Sequence, residues 1–157
     1  LLTMEKEMNR YFNLASEATI AGMKRGDGGP FGATIVRNGE VIAAVGNTMM
    51  KDMDPSAHAE MVAVREACKI LNTMDLSDCE VYATCEPCPM CVGVMQWANI
   101  KKVYYSSTRE DAGKHGFSDM HLRTYLDGST PEVFDMEHIG DRDDCDVLWN
   151  EFKELNK

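Results

Sequence analysis

The run CEPCPMC, Cys85–Cys91, packs three cysteines into seven residues. A strand-like EVYAT precedes it. The run then opens a helix-like PCPMCVGVMQWA, whose prolines stay at its start, where a helix tolerates them. Upstream, PSAHAEMVAV places His58 and Glu60 at the opening of another helix-like stretch. Three cysteines this close suit a metal or redox site better than a structural staple. If His58 belongs to the same site, the fold has to bring two helix starts, separated by a strand, to one point.

The rest of the chain supplies the frame. Met4, Met8, Tyr11, Phe12, Ala15 and Ala18 recur at three- and four-residue steps, which predicts an N-terminal amphipathic helix. It ends at the loop RGDGGPFG. ATIV and VIAAV flank RNGE, and Asn38-Gly39 is suited to the positive φ angles of a type I′ turn, so a β-hairpin is expected. NTMMKDMD reads as a loop, with Asp54 or Ser56 capping the helix that follows. In that helix Ala59, Val62, Ala63, Ala67, Ile70 and Leu71 share one face. KKVYYSS is a further strand. The stretch DAGKHGFSDMHLRTYLDGSTPEVF predicts one short helix, and CDVLWNEFKEL a closing amphipathic helix through Leu148, Phe152 and Leu155. Helix, hairpin, helix, strand, helix, strand is an α/β order. Helices between successive strands imply right-handed parallel crossovers, while the hairpin makes the sheet mixed. The expectation is a three-layer α/β/α sandwich in one domain, which suits 157 residues.

Charge and composition narrow the function. The net charge is −10. A protein that grips a nucleic-acid backbone needs clustered Lys and Arg, and no basic run here exceeds Lys101-Lys102. A small-molecule substrate is the better expectation, with nucleic acid unlikely as a partner. No apolar run approaches a bilayer span, and the start LLTMEKEMNR shows no secretory pattern. A cytoplasmic chain with free thiols is expected rather than a disulfide framework.

The chemistry follows from the ligand types. Cys88 and Cys91 are three apart, so both fall on one face of a helix's first turn. A helix N-terminus favours thiolate, the form a metal needs. One nitrogen and two sulfurs suit a single tetrahedral zinc with an open fourth position. Water there has its pKa lowered to roughly 7. Glu60, close to the metal without binding it, is placed to shuttle protons. Other readings stand beside this one: a CxxC redox dithiol, a pair of buried apolar cysteines, or a closed structural site with Cys85 as fourth ligand. His115, His121 and His138 show no ligand spacing and read as surface or loop residues. Cys68 and Cys79 read as buried thiols, and Trp97 by default as a core aromatic.

H-x-E followed by P-C-x-x-C is the signature of zinc nucleobase deaminases. AHAEMVAVREACKIL and CEPCPMCVGVMQWA resemble the cytidine-deaminase-like superfamily, and within it most the bacterial-type guanine deaminases and the plant-type guanosine deaminases. The resemblance runs from about Gly29 to Asp119, through GGPFGA, DPSAHAE, CEPCPMC and GFSD in order. It implies zinc on His58, Cys88 and Cys91, with Glu60 as proton shuttle. It implies purine contacts from Asn47, Ala59 and Asp119, a ring pocket lined by Phe31 and Trp97, and a polar contact from Glu137. It also implies a homodimer whose C-terminal segment, about 131–157, packs on or is exchanged with the partner. The tail NEFKELNK departs from family members that end in an aromatic residue. The activity expected is hydrolysis of guanine to xanthine and ammonia. Guanosine or another nucleoside, tRNA adenosine, and a zinc-stabilised binding module without catalysis are the alternatives.

Overall fold

Asn38 and Gly39 take φ angles of 50° and 78°. That left-handed pair turns β1 (Gly32–Arg37) directly back into β2 (Glu40–Gly46). The computed structural model that shows this describes residues 2–140 and 142–157. Leu1 and Asp141 lie outside the described residues. The chain divides into two compact units, one ending at Arg123 and one spanning Thr124–Lys157.

The first unit holds a mixed four-stranded sheet in the order β2-β1-β3-β4. The strand β3 (Cys79–Cys85) pairs antiparallel to β1, and β4 (Lys102–Ser107) pairs parallel to β3. The expected mixed sheet is therefore observed, and α4 (Pro89–Trp97) is the crossover between its parallel pair. The β1–β2 register slips between Ile35 and Val36.

Strand alternation sends neighbouring side chains to opposite faces. Ala33, Ile35 and Val81 face one way. They meet Ala59, Ala63, Val64 and Ala67 of α3 (Ala59–Leu71) and Cys91 and Met95 of α4. Val36 and Tyr82 face the other way, against Tyr11 of α1 (Leu2–Arg25), with Met8 and Phe12 partly buried beside them. The Tyr11 and Tyr82 rings lie 4.9 Å apart, and Thr34 donates a hydrogen bond to the Tyr11 carbonyl at 2.8 Å. Helices thus cover both faces of the sheet.

The α3 periodicity changes at two positions, since Val62 is only half-buried and lies outside the core cluster. Ile70 is exposed, and Val64 takes its place on the buried face. The small alanines at 59, 63 and 67 are fully buried there, with Val64 beside them and Met61 and Leu71 partly buried at the margin. Two short helices also occur where loops were expected. They are α2 (Met49–Asp52) within NTMMKDMD and α5 (Arg109–Lys114) ahead of α6 (Met120–Leu126). The first ends on Met53, a left-handed residue. The second is opened by a Thr108–Asp111 capping box.

The second unit carries a 3-10 turn (Pro131–Val133) and α7 (Asp143–Leu155), with Tyr125 and Phe134 in edge contact at 5.4 Å. Val147, Leu148, Trp149, Phe152 and Leu155 of α7 are all exposed in the single chain. Among the described residues no helix is long and apolar enough to cross a membrane.

Ile35 and Val81 are register partners at the sheet centre, both fully buried. Ile35→Ala should cost about 2–5 kcal/mol of unfolding free energy, read by urea denaturation. A cost near zero would mean that this layer of the core is not packed as described.

Candidate metal centre and active site

Residue His58 is the N-cap of α3, and Cys88 is the N-cap of α4. An N-cap side chain ordinarily turns back to accept from the first free N–H groups. Neither does so here, which leaves both free to point at each other. The expected cap from Asp54 or Ser56 is not formed. Asp54 instead accepts from the Ser56 N–H at 2.8 Å and its hydroxyl at 2.7 Å, closing a tight turn before the helix.

The three ligand atoms converge. His58 Nδ1 lies 3.6 Å from Cys88 Sγ and 3.6 Å from Cys91 Sγ. Zinc bonds of about 2.05 Å to nitrogen and about 2.3 Å to sulfur, opened at the tetrahedral angle, separate N and S by about 3.6 Å. The donor set and its spacing therefore fit one zinc ion. Among the described residues this trio is the cluster of His, Cys, Asp and Glu able to hold a metal. Cys85 is not part of it. Its thiol points to the Thr108 carbonyl at 3.6 Å, and burial pushes that thiol up from its ordinary range. The closed four-ligand alternative is thus not built.

Charge explains why a cation belongs here. The Cys88 thiol is drawn down to about 4 by the hydrogen bond from Cys91, then by the His58 ring. The Cys91 thiol is pushed up by that same contact with Cys88, by burial and by nearby Glu60. One thiolate forms readily at this helix start, and a second meets the first. A dication removes the conflict and lets both ionise. Glu60 is 7% exposed, and burial raises its carboxyl above the usual carboxylate range while a Cys91 hydrogen bond pulls the other way.

These groups open into a cavity of about 490 Å³, whose walls include Phe31, Asn47, His58, Glu60, Phe117 and Asp119. That is a volume suited to a small molecule. Asn47 is buried. Its side-chain oxygen accepts from the N–H groups of Met49 at 3.1 Å and Gly29 at 3.4 Å. A Cβ at position 28 would run into that oxygen and into the Asn47 carbonyl, so Gly28 is what lets the two segments touch. Phe31 meets Phe117 edge to face at 5.1 Å. Asp119 sits in the loop before α6, paired with Arg123.

Several expectations change. Trp97 is 87% exposed at the far end of α4, so it is neither core nor part of the cavity wall of its own chain. Ala59 is fully buried in the core and does not line the cavity. Glu137 lies exposed in the second unit. His121, read as a surface histidine, is exposed but also lines the cavity, and Phe117 was not singled out at all. The signal for Phe117 was its place in GFSD, two residues before Asp119.

The purified protein should carry one zinc per chain by metal analysis. Cys88→Ser should lose most of it and Cys85→Ser should keep it. The reverse pattern would overturn the ligand assignment.

The comparisons agree with this geometry. Residues 5–107 match the model of the cytidine and deoxycytidylate deaminase zinc-binding region. A guanine deaminase of Bacillus subtilis is 43% identical over 127 residues, which cover 80% of this chain and 81% of that protein. A crystal structure of the Bacillus subtilis guanine deaminase superposes with a TM-score of 0.85 at 35% identity, covering 93% of each chain. A tRNA-specific adenosine deaminase of Aquifex aeolicus is 46% identical over 87 residues, or 55% of this chain and 56% of that one. With its ligand trio, its mixed sheet and the match through both helix starts, the chain belongs to the cytidine and deoxycytidylate deaminase zinc-binding family.

Proposed function

We propose that the protein hydrolyses guanine to xanthine and ammonia. The observation that carries this reading is that Glu60, Asn47, Asp119 and the ligand His58 all line one cavity. Similarity to a guanine deaminase across four-fifths of both chains supports it. Zinc, when bound, supplies the Lewis acidity that makes water a nucleophile at neutral pH.

The chain's own residues do the rest. Glu60 takes a proton from the attacking water and gives it to the purine ring nitrogen, then takes the remaining proton of the newly attached hydroxyl and delivers it to the amine, which leaves as ammonia as the carbonyl forms. Its raised affinity for a proton suits a group that must both accept and release one. Asp119 accepts from the ring N–H of guanine and its neighbouring donor edge. Asn47 has its oxygen committed to Met49 and Gly29, so its NH2 is the part turned to a purine acceptor. Phe31 and Phe117 flank the ring. A site built on such hydrogen bonds rejects purines that leave its polar groups unpaired.

The same proposal extends to assembly. The large apolar residues on α7 are more than a free helix leaves in water. We assign them to a homodimer, with the C-terminal segment covered by or exchanged with a second copy and Glu137 carried in it. All six cysteines are free, which suits a cytoplasmic setting where thiols stay reduced.

Glu60→Gln should keep zinc and melting temperature while losing about 10²–10⁴-fold of turnover, because the amide matches the carboxylate in size but cannot carry the proton. A zinc-loaded, active Glu60→Gln would sink the mechanism. Ultraviolet assay of guanine, guanosine, adenine and cytosine tests the substrate, with guanine the expected one. Turnover of guanosine without guanine would replace the substrate and leave the proton transfers in place. Tight, salt-steep retention on tRNA would instead favour the activity named for the Aquifex relative. Light scattering should give twice the chain mass, and a monomer at micromolar concentration would remove the α7 assignment.

A further inference from the structure

Residue Arg123 does not line the cavity. Its guanidinium holds Asp119 along one edge. Nε donates to both carboxylate oxygens at 3.0 Å, and a terminal nitrogen sits 3.0 Å from Oδ2. A terminal nitrogen also donates to the Pro87 carbonyl at 3.2 Å. Pro87 is buried and directly precedes the ligand Cys88. Both partners of the ion pair are well covered, with side-chain exposures of 23% and 18%.

That arrangement does more than join two turns of a short helix. A planar fork on a carboxylate fixes the carboxylate's plane as well as its position. A carboxylate has about four acceptor sites, and an arginine along one edge leaves the others for a ligand. Asp119 has a hostile neighbourhood without it. Glu86 is close enough for its charge to act on Arg123, and the whole chain carries −10.

We propose that Arg123 is the positioning residue of the purine-recognising carboxylate: through Asp119 and the Pro87 carbonyl, one side chain fixes the recognition loop to the metal loop. The inference rests on the guanine reading above. Its function is to set the orientation of Asp119, so it governs substrate affinity more than the chemical step.

Arg123→Gln, assayed as the zinc-loaded protein, should raise KM for guanine by about ten- to a hundredfold, the loss expected for a charged hydrogen bond. It should leave kcat within about threefold. Arg123→Lys keeps the charge without the fork and should recover part of that loss; it carries the same test if the Gln variant fails to hold zinc. In an Asp119→Asn background, Arg123→Gln should raise KM little further, since the side chain acts through Asp119. An unchanged KM in Arg123→Gln, or a full additional rise in the Asp119→Asn background, would overturn the inference while guanine turnover by the wild type stands. Absence of that turnover in the wild type would instead strike the substrate reading, and this inference with it.

Discussion

Two helix starts aimed at one point are the constraint on which the rest of this molecule depends. His58 and Cys88 are N-cap residues of helices that begin on opposite sides of a strand, and they meet within ligand distance of one ion. Bringing them together requires α3 and α4 on the same face of the sheet, which in turn requires β1 and β3 side by side. The alanines at 59, 63 and 67 on the buried face of α3 follow from the same demand, because bulky residues at those positions would hold the helix too far from the sheet to present His58. Neither helix start carries a side-chain cap, and such a terminus favours negative charge beside it.

The site was legible in the sequence where chemistry is written at short range. The spacing of Cys88 to Cys91 and of His58 to Glu60 survives folding because each pair lies within one helical turn. The Asn38-Gly39 turn was legible for the same reason, since two residues carry the whole backbone requirement. What stayed hidden depends on contacts between distant segments. Ile70 follows the helical period of its neighbours, yet it is exposed while Cys68 and Leu71 of the same turn pack on the core. Asp54 and Ser56 have the right chemistry for a cap but bond each other. Trp97 looks like core by type, but its direction is set by where α4 ends. Phe117 enters the wall only because its loop packs against Phe31.

Crowding of negative charge is the cost of this design. Two cysteines able to ionise, a buried glutamate and an aspartate share one neighbourhood in a chain that is acidic overall. Each is tolerated for a separate physical reason. The thiols sit at a helix start, Glu60 is eased toward its neutral form by burial, and Asp119 is held by a guanidinium. Remove the local reason and the others cannot absorb the charge, because the dielectric inside the cavity is low.

The walls and the ligands of the cavity come from different kinds of structure. The metal ligands belong to helix starts fixed by the core, whereas Asn47, Phe117 and Asp119 come from segments between helices and strands. Connecting segments accept replacement and insertion far more readily than packed elements do. On the proposed reading, descent with change can alter the ring that is recognised by editing these two connecting segments, while the helix starts that present the metal ligands are inherited intact. That separation gives a physical reason for one fold to serve bases, nucleosides and tRNA among its relatives.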